Sequence, residues 1–151
     1  FNGTENLYRV GYESARVLEG RGQIALQGVD GVQASLGLSV RDGALTSVDS
    51  LDSDIPNFAP VTADAMVAVS FLDGDGFVEA HGRFESPRDA GLPPSPRVDS
   101  YFSLDLEGSY SLGANTEIVA RAQNLSVDAP TLWAGYPRPP AQVSLGLRLK
   151  W

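Results

Sequence analysis

The run Gln142-Val-Ser-Leu-Gly-Leu-Arg-Leu-Lys-Trp151 alternates apolar and polar residues without a break. A period of two fits extended backbone, whose successive side chains point to opposite faces, and fits no helix. It sets Val143, Leu145, Leu147, Leu149 and Trp151 on one face and Ser144, Gly146, Arg148 and Lys150 on the other. Residues 101–112 repeat the pattern, with Phe102, Leu104, Leu106, Tyr110 and Leu112 against Ser103, Asp105, Glu107, Ser109 and Ser111. Residues 32–41 follow it too, and 22–28, 77–85 and 116–123 follow it more weakly. Residues 62–72 would also suit a short helix through Ala63, Ala65, Met66 and Ala68. The alternation of Ala63, Ala65, Val67, Val69 and Phe71, bounded by Pro60 and Asp73-Gly74, favours a strand. The longest apolar run, residues 65–69, is far short of the roughly 20 residues of a spanning helix, so any membrane residence must use strands.

The connections constrain the topology further. They fall at residues 29–31, 48–60, 73–76, 86–97, 113–115 and 126–141, short and long in strict alternation. Outer-membrane barrels sort their loops this way, with short periplasmic turns and longer extracellular loops. Phe71, Phe77, Tyr110 and Trp151 gather toward the short turns, and Phe58, Phe84, Phe102, Trp133 and Tyr136 toward the long loops. Two aromatic girdles are expected at the two interfaces of such a barrel. The predicted fold is therefore all-β, an antiparallel segment of about seven strands from a transmembrane β-barrel. Because a complete single-chain barrel has an even strand number, residues 1–151 are expected to be the C-terminal portion of a larger barrel domain, with Trp151 periplasmic and the N-terminal end extracellular. Residues 5–19 are read as the outer half of a long first strand.

Charge and composition exclude several classes. Eleven Lys and Arg stand against nineteen Asp and Glu, a net charge of -8, so no nucleic-acid partner is expected. All the cations but Lys150 are Arg, and no polybasic run exists for peripheral membrane binding. With no Cys there is no disulfide framework, Cys-ligated zinc, iron–sulfur cluster or thiol catalysis.

The run Gly113-Ala-Asn-Thr-Glu-Ile-Val-Ala-Arg-Ala-Gln-Asn-Leu125, then Gly135-Tyr136-Pro137, then residues 143–151 resembles the closing three strands of TonB-dependent outer-membrane receptors. In that family a penultimate strand ends near Asn-Leu-Phe-Asp; here Ser126-Val127-Asp128 follows Asn124-Leu125. Ile55-Pro56-Asn57 resembles the family's Ile/Leu-Pro-Asn-x-Pro lead into a descending strand. Ala15-Arg16 ahead of Gly20-Arg21-Gly22 resembles its Ala-Arg-x-x-Gly-Leu-Glu segment without the Glu. The resemblance implies a barrel of about 22 strands around a plugged lumen. It implies import of a scarce small-molecule nutrient, a siderophore–iron complex, cobalamin or a glycan, with no reaction catalysed and no cofactor. The implied partners are the remaining strands and plug, TonB through a segment upstream of Phe1, outer-membrane lipid, and the barrel-assembly machinery, for which terminal Trp151 resembles the signal. A passive porin or adhesin-like barrel and a soluble β-sandwich binding module are the alternatives.

Among candidate sites, Trp133, Tyr136 and Arg138 form the leading ligand-binding group, in the last long loop, where aromatic stacking and a guanidinium suit a planar or anionic ligand. Arg83, Asp105, Glu107, Arg121 and Arg148 are expected to face the lumen, with Arg121 pairing with the carboxylates. His81, beside Glu79, Arg83 and Glu85, reads as part of a hydrated network rather than a catalytic dyad. No metal is expected. Asp49, Asp52 and Asp54 are the weak candidate for calcium, and Asp73-Gly-Asp-Gly76 is read as a hairpin turn.

Overall fold

A computed structural model describes residues 12–29, 31–47, 52–55, 58–90, 97–125, 131–133, 136–137 and 139–149. Seven strands form one antiparallel sheet: β1 Tyr12–Val29, β2 Val32–Ser47, β3 Val61–Phe71, β4 Gly76–Glu85, β5 Tyr101–Gly113, β6 Thr116–Gln123 and β7 Gln142–Leu149. Each pairs with the next in sequence, and the sheet is open: among the described residues nothing pairs with the outer side of β1 or β7. A short strand, Asp52–Asp54, adds to β2 at Ala44, Leu45 and Thr46. Two small hairpins, Arg88–Asp89 with Arg97–Val98 and Thr131–Trp133 with Tyr136–Pro137, lie in the long connections.

The first strand is long, as the reading of residues 5–19 as its outer half expects, and is described from Tyr12; it and the second strand, which ends at Ser47 rather than Arg41, both run beyond the stretch of clear alternation. Val17 and Leu18 are adjacent and both more than half exposed, so neither face of this outer portion is consistently apolar and the two-residue signal fades there. The segment 62–72 is a strand, β3. Its turn into β4 is a single 3₁₀ turn, Leu72–Gly74, with Leu72, Asp73 and Gly74 all in the left-handed region at φ 53, 55 and 96. Left-handed backbone is easy for Gly and tolerable for Asp, which is what an Asp-Gly turn supplies.

The register keeps apolar beside apolar across the sheet. One row reads Leu26, Ala34, Val67, Ala80, Leu106, Ala122 and Val143. It begins close to the tight-turn end of β1 and finishes beside the long-loop end of β7, so the strands are staggered progressively in one direction. The opposite face carries the row Gln33, Ala68, Glu79, Glu107, Arg121 and Ser144.

Packing differs between the faces. The buried apolar residues described are Leu45, Ala59, Ala68, Val98 and Tyr101, and no large side chain is fully buried. All but Ala68 lie toward the long-loop end, where Ile55 and Phe58 lie over the polar face. A Cβ on Gly43 would strike Ile55 Cδ1 at 2.7 Å, and the Phe58 ring stands over Arg41 at 5.9 Å. Phe58 thus caps a guanidinium instead of joining an outward aromatic band. Phe77 and Tyr101 also take the polar face, opposite Ser109 and Glu85. Phe71, Phe84, Phe102 and Tyr110 do stand exposed on the apolar face, near its two ends.

Candidate functional site

The chemistry of the sheet is concentrated on its polar face, where the register stacks opposite charges. Two trios dominate the long-loop half. In the first, Glu19 Oε1 accepts from Arg21 Nε at 2.8 Å, Arg41 Nε at 2.7 Å and the Ser39 hydroxyl at 2.8 Å, while Oε2 accepts from Arg21 NH2 at 3.1 Å. In the second, Glu85 Oε1 meets Arg83 NH2 at 2.9 Å and Oε2 accepts from Arg88 NH1 at 3.0 Å. Arg88 is the most enclosed of these, its side chain only 6% exposed.

The trios face each other across small residues. Arg21 on β1 lies opposite Ser39 on β2, Ser39 opposite Thr62 on β3, and Thr62 opposite Glu85 on β4. Ser39 and Thr62 are buried, and Gly37 beside them carries no side chain. Long guanidinium arms rising on either side of short residues leave a trough of about 420 Å³, lined by Arg21, Arg41, Arg83 and Asp64 among others.

Elsewhere on this face the pairs are simpler. Arg121 Nε and NH2 donate to Glu107 at 2.9 and 3.2 Å, and Arg148 NH1 donates to Glu117 at 2.8 Å. Asp105 accepts the backbone N–H of Asn124 at 2.8 Å, which secures the left-handed Asn124 after β6. His81 Nε2 lies 3.9 Å from Asp64 Oδ1. Glu79 is directly opposite Glu107, a like-charge neighbour that disfavours pairing and is offset by Arg121 on the next strand.

Arg83, Asp105, Glu107, Arg121 and Arg148 therefore share one face. The backbone brings Trp133 and Tyr136 directly across from each other in their hairpin; Arg138 and Trp151 lie outside the described residues. Asp49 lies outside them as well, and Asp52 and Asp54 sit on the short strand against β2. No group of three or more carboxylate, His or Cys side chains able to hold a metal occurs among the described residues. Sequence reasoning placed Arg83 and Glu85 on one polar face but missed Glu19, Arg21, Arg41 and Arg88 as parts of the trios. The local signals, Glu19-x-Arg21 and Arg83-x-Glu85, are present, but only cross-strand register tells which second arginine joins each glutamate.

No family model matches the chain, and no curated protein or solved structure matches it.

Proposed function

We propose that this sheet is one wall of a transmembrane β-barrel in the bacterial outer membrane, with its apolar face against lipid and its polar face toward a hydrated lumen. One observation carries the reading. Leu36, Leu38 and Val67 lie on interior strands yet are 54%, 49% and 48% exposed, so the apolar face is uncovered along its whole width and not merely at an edge. In water such a face costs about 25 cal/mol for each Å² left wet; in lipid it costs nothing.

Three further features support it. Tight turns leave one end of the sheet and long connections the other, as in outer-membrane barrels. The one-directional stagger is what tilted strands need to close a barrel. The two free edges also need partners, since an open edge in hydrocarbon leaves backbone groups unsatisfied. β1 and β7 run in the same direction, being first and seventh of an antiparallel series. Closing the gap with antiparallel pairs takes an odd number of further strands. A second copy related by a two-fold axis normal to the sheet would send its tight turns to the opposite side of the membrane. The complement is thus a different set of strands.

The transport role rests on the resemblance of residues 113–151 to the closing strands of TonB-dependent receptors. We infer energised import of a scarce nutrient, with the hairpin bearing Trp133 and Tyr136 as an outward ligand surface. The test uses the complete protein in its own cell. Recovery in the outer-membrane fraction, heat-modifiable migration on SDS gels and nutrient uptake that stops when TonB is deleted are expected. Recovery as a detergent-free soluble protein would sink the barrel, and uptake indifferent to TonB would leave a passive porin.

A further inference from the structure

We propose that the trough between the two arginine–glutamate–arginine trios binds a small anion with two or more oxyanion groups, carboxylate or phosphate. The inference gives a substrate class to the importer proposed above and rests on that reading for its physiological role.

Each trio sets two guanidinium groups on one carboxylate, with Arg21 and Arg41 on Glu19 and Arg83 and Arg88 on Glu85. The lining of the trough carries three of these guanidinium groups, Arg21, Arg41 and Arg83, and one carboxylate, Asp64, while Glu19 and Glu85 hold the arginines from outside that lining. Arginine therefore predominates in the lining of the trough, in a molecule of net charge -8.

Donor geometry adds to charge. A guanidinium carries five N–H donors in a planar fork. Arg41 meets Glu19 through Nε, and Arg83 meets one oxygen of Glu85 through Nε and NH2. Both line the trough and keep donors beyond those bonds. Such forks match carboxylate and phosphate oxygens bidentately, and the glutamates fix the arms in place so that little rotamer freedom is lost on binding.

Shape completes the case. Buried Ser39 and Thr62 and the bare Gly37 keep the trough open between the arms. A volume of about 420 Å³ suits a small organic anion. Phe58 stacked on Arg41 restricts that arm from the long-loop side. A second polar depression, around Glu79, His81, Asp105, Glu107 and Arg121, is dominated by carboxylates, and a third, of about 190 Å³, sets Arg41, Arg88 and Arg97 against Asp42 and Asp89 in less than half the volume.

The test is calorimetric titration of the complete protein, purified in detergent, with citrate and with pyrophosphate at low ionic strength. Wild type should bind at least one probe, with affinity falling as salt rises; citrate alone would identify carboxylate recognition and pyrophosphate alone phosphate. Arg41→Gln and Arg83→Gln should each weaken binding by about tenfold or more, while Arg121→Gln, in the other half of the face, leaves it unchanged. Glu19→Gln should tighten binding several-fold, a gain that misfolding cannot produce. No binding of either probe at millimolar concentration, or equal weakening by Arg121→Gln, overturns the site. A heat-modifiable outer-membrane protein that binds neither probe keeps the barrel and loses the site; a soluble protein with the predicted arginine dependence does the reverse.

Discussion

The two faces of this sheet share one backbone and one set of hydrogen bonds, yet they follow opposite rules. On one, Leu, Val, Ala and Phe stand in apolar rows with nothing among the described residues packed on them. On the other, every ion pair described lies within the sheet or against its loops, and Ile55 and Phe58 lie over it. A soluble sandwich buries its apolar face and wets its polar one. Here the wet, loop-covered face is polar and the bare face is apolar, the inside-out arrangement that suits lipid.

The comparison is easiest to break where it predicts the largest effect. Removing Trp151, the aromatic residue that closes the apolar alternation of the sequence, should abolish most outer-membrane assembly, read as surface level of the full protein. Normal levels would detach that residue from any assembly role. Adjacent substitutions on opposite faces come next. Leu147→Arg should cost about 2–4 kcal/mol of stability in lipid vesicles, as charge on a lipid face near the bilayer centre does. Arg148→Leu, one residue on, loses a half-exposed ion pair to Glu117 and should cost less than about 1 kcal/mol. Equal costs would erase the difference between the faces.

A smaller effect sharpens the packing within the apolar face. The Phe71 ring lies across Gly76, where an added Cβ would overlap it. Gly76→Ala should destabilise by about 1–3 kcal/mol through overpacking. Much of that should be recovered in combination with Phe71→Leu, since contacting residues are coupled. The smallest effect is expected at Arg121→Gln on the polar face, where loss of a solvent-exposed pair should leave the urea midpoint within error.

How much of this was readable beforehand follows from which forces are local. Alternation marks a strand wherever one face must be uniformly apolar, so residues 142–149 and 101–112 declare themselves. Residues 12–21 do not, because Val17, Leu18 and the charged Glu19 and Arg21 follow one another where neither face is constrained. The Asp-Gly turn after β3 is local chemistry and was legible. The placement of Phe58 over Arg41, and of Glu19 between arginines from two strands, depends on how loops fold back and how strands align. No short window of sequence contains that information. The Trp133 and Tyr136 pairing was half legible, as two aromatics in one loop, but the hairpin that sets them opposite each other is a tertiary result.

The central claim is that successive residues of one strand meet lipid and water in turn. The chain has no Cys of its own, so single cysteines at positions 143 to 149 can each carry a spin label in the complete protein reconstituted in vesicles. Collision with oxygen, which concentrates in lipid, and with a water-soluble nickel chelate should alternate residue by residue. Positions 143, 145, 147 and 149 should favour oxygen, and positions 144, 146 and 148 the chelate. Equal access of the chelate to both sets, or an apolar set shielded from both reagents as in a packed core, would contradict the account.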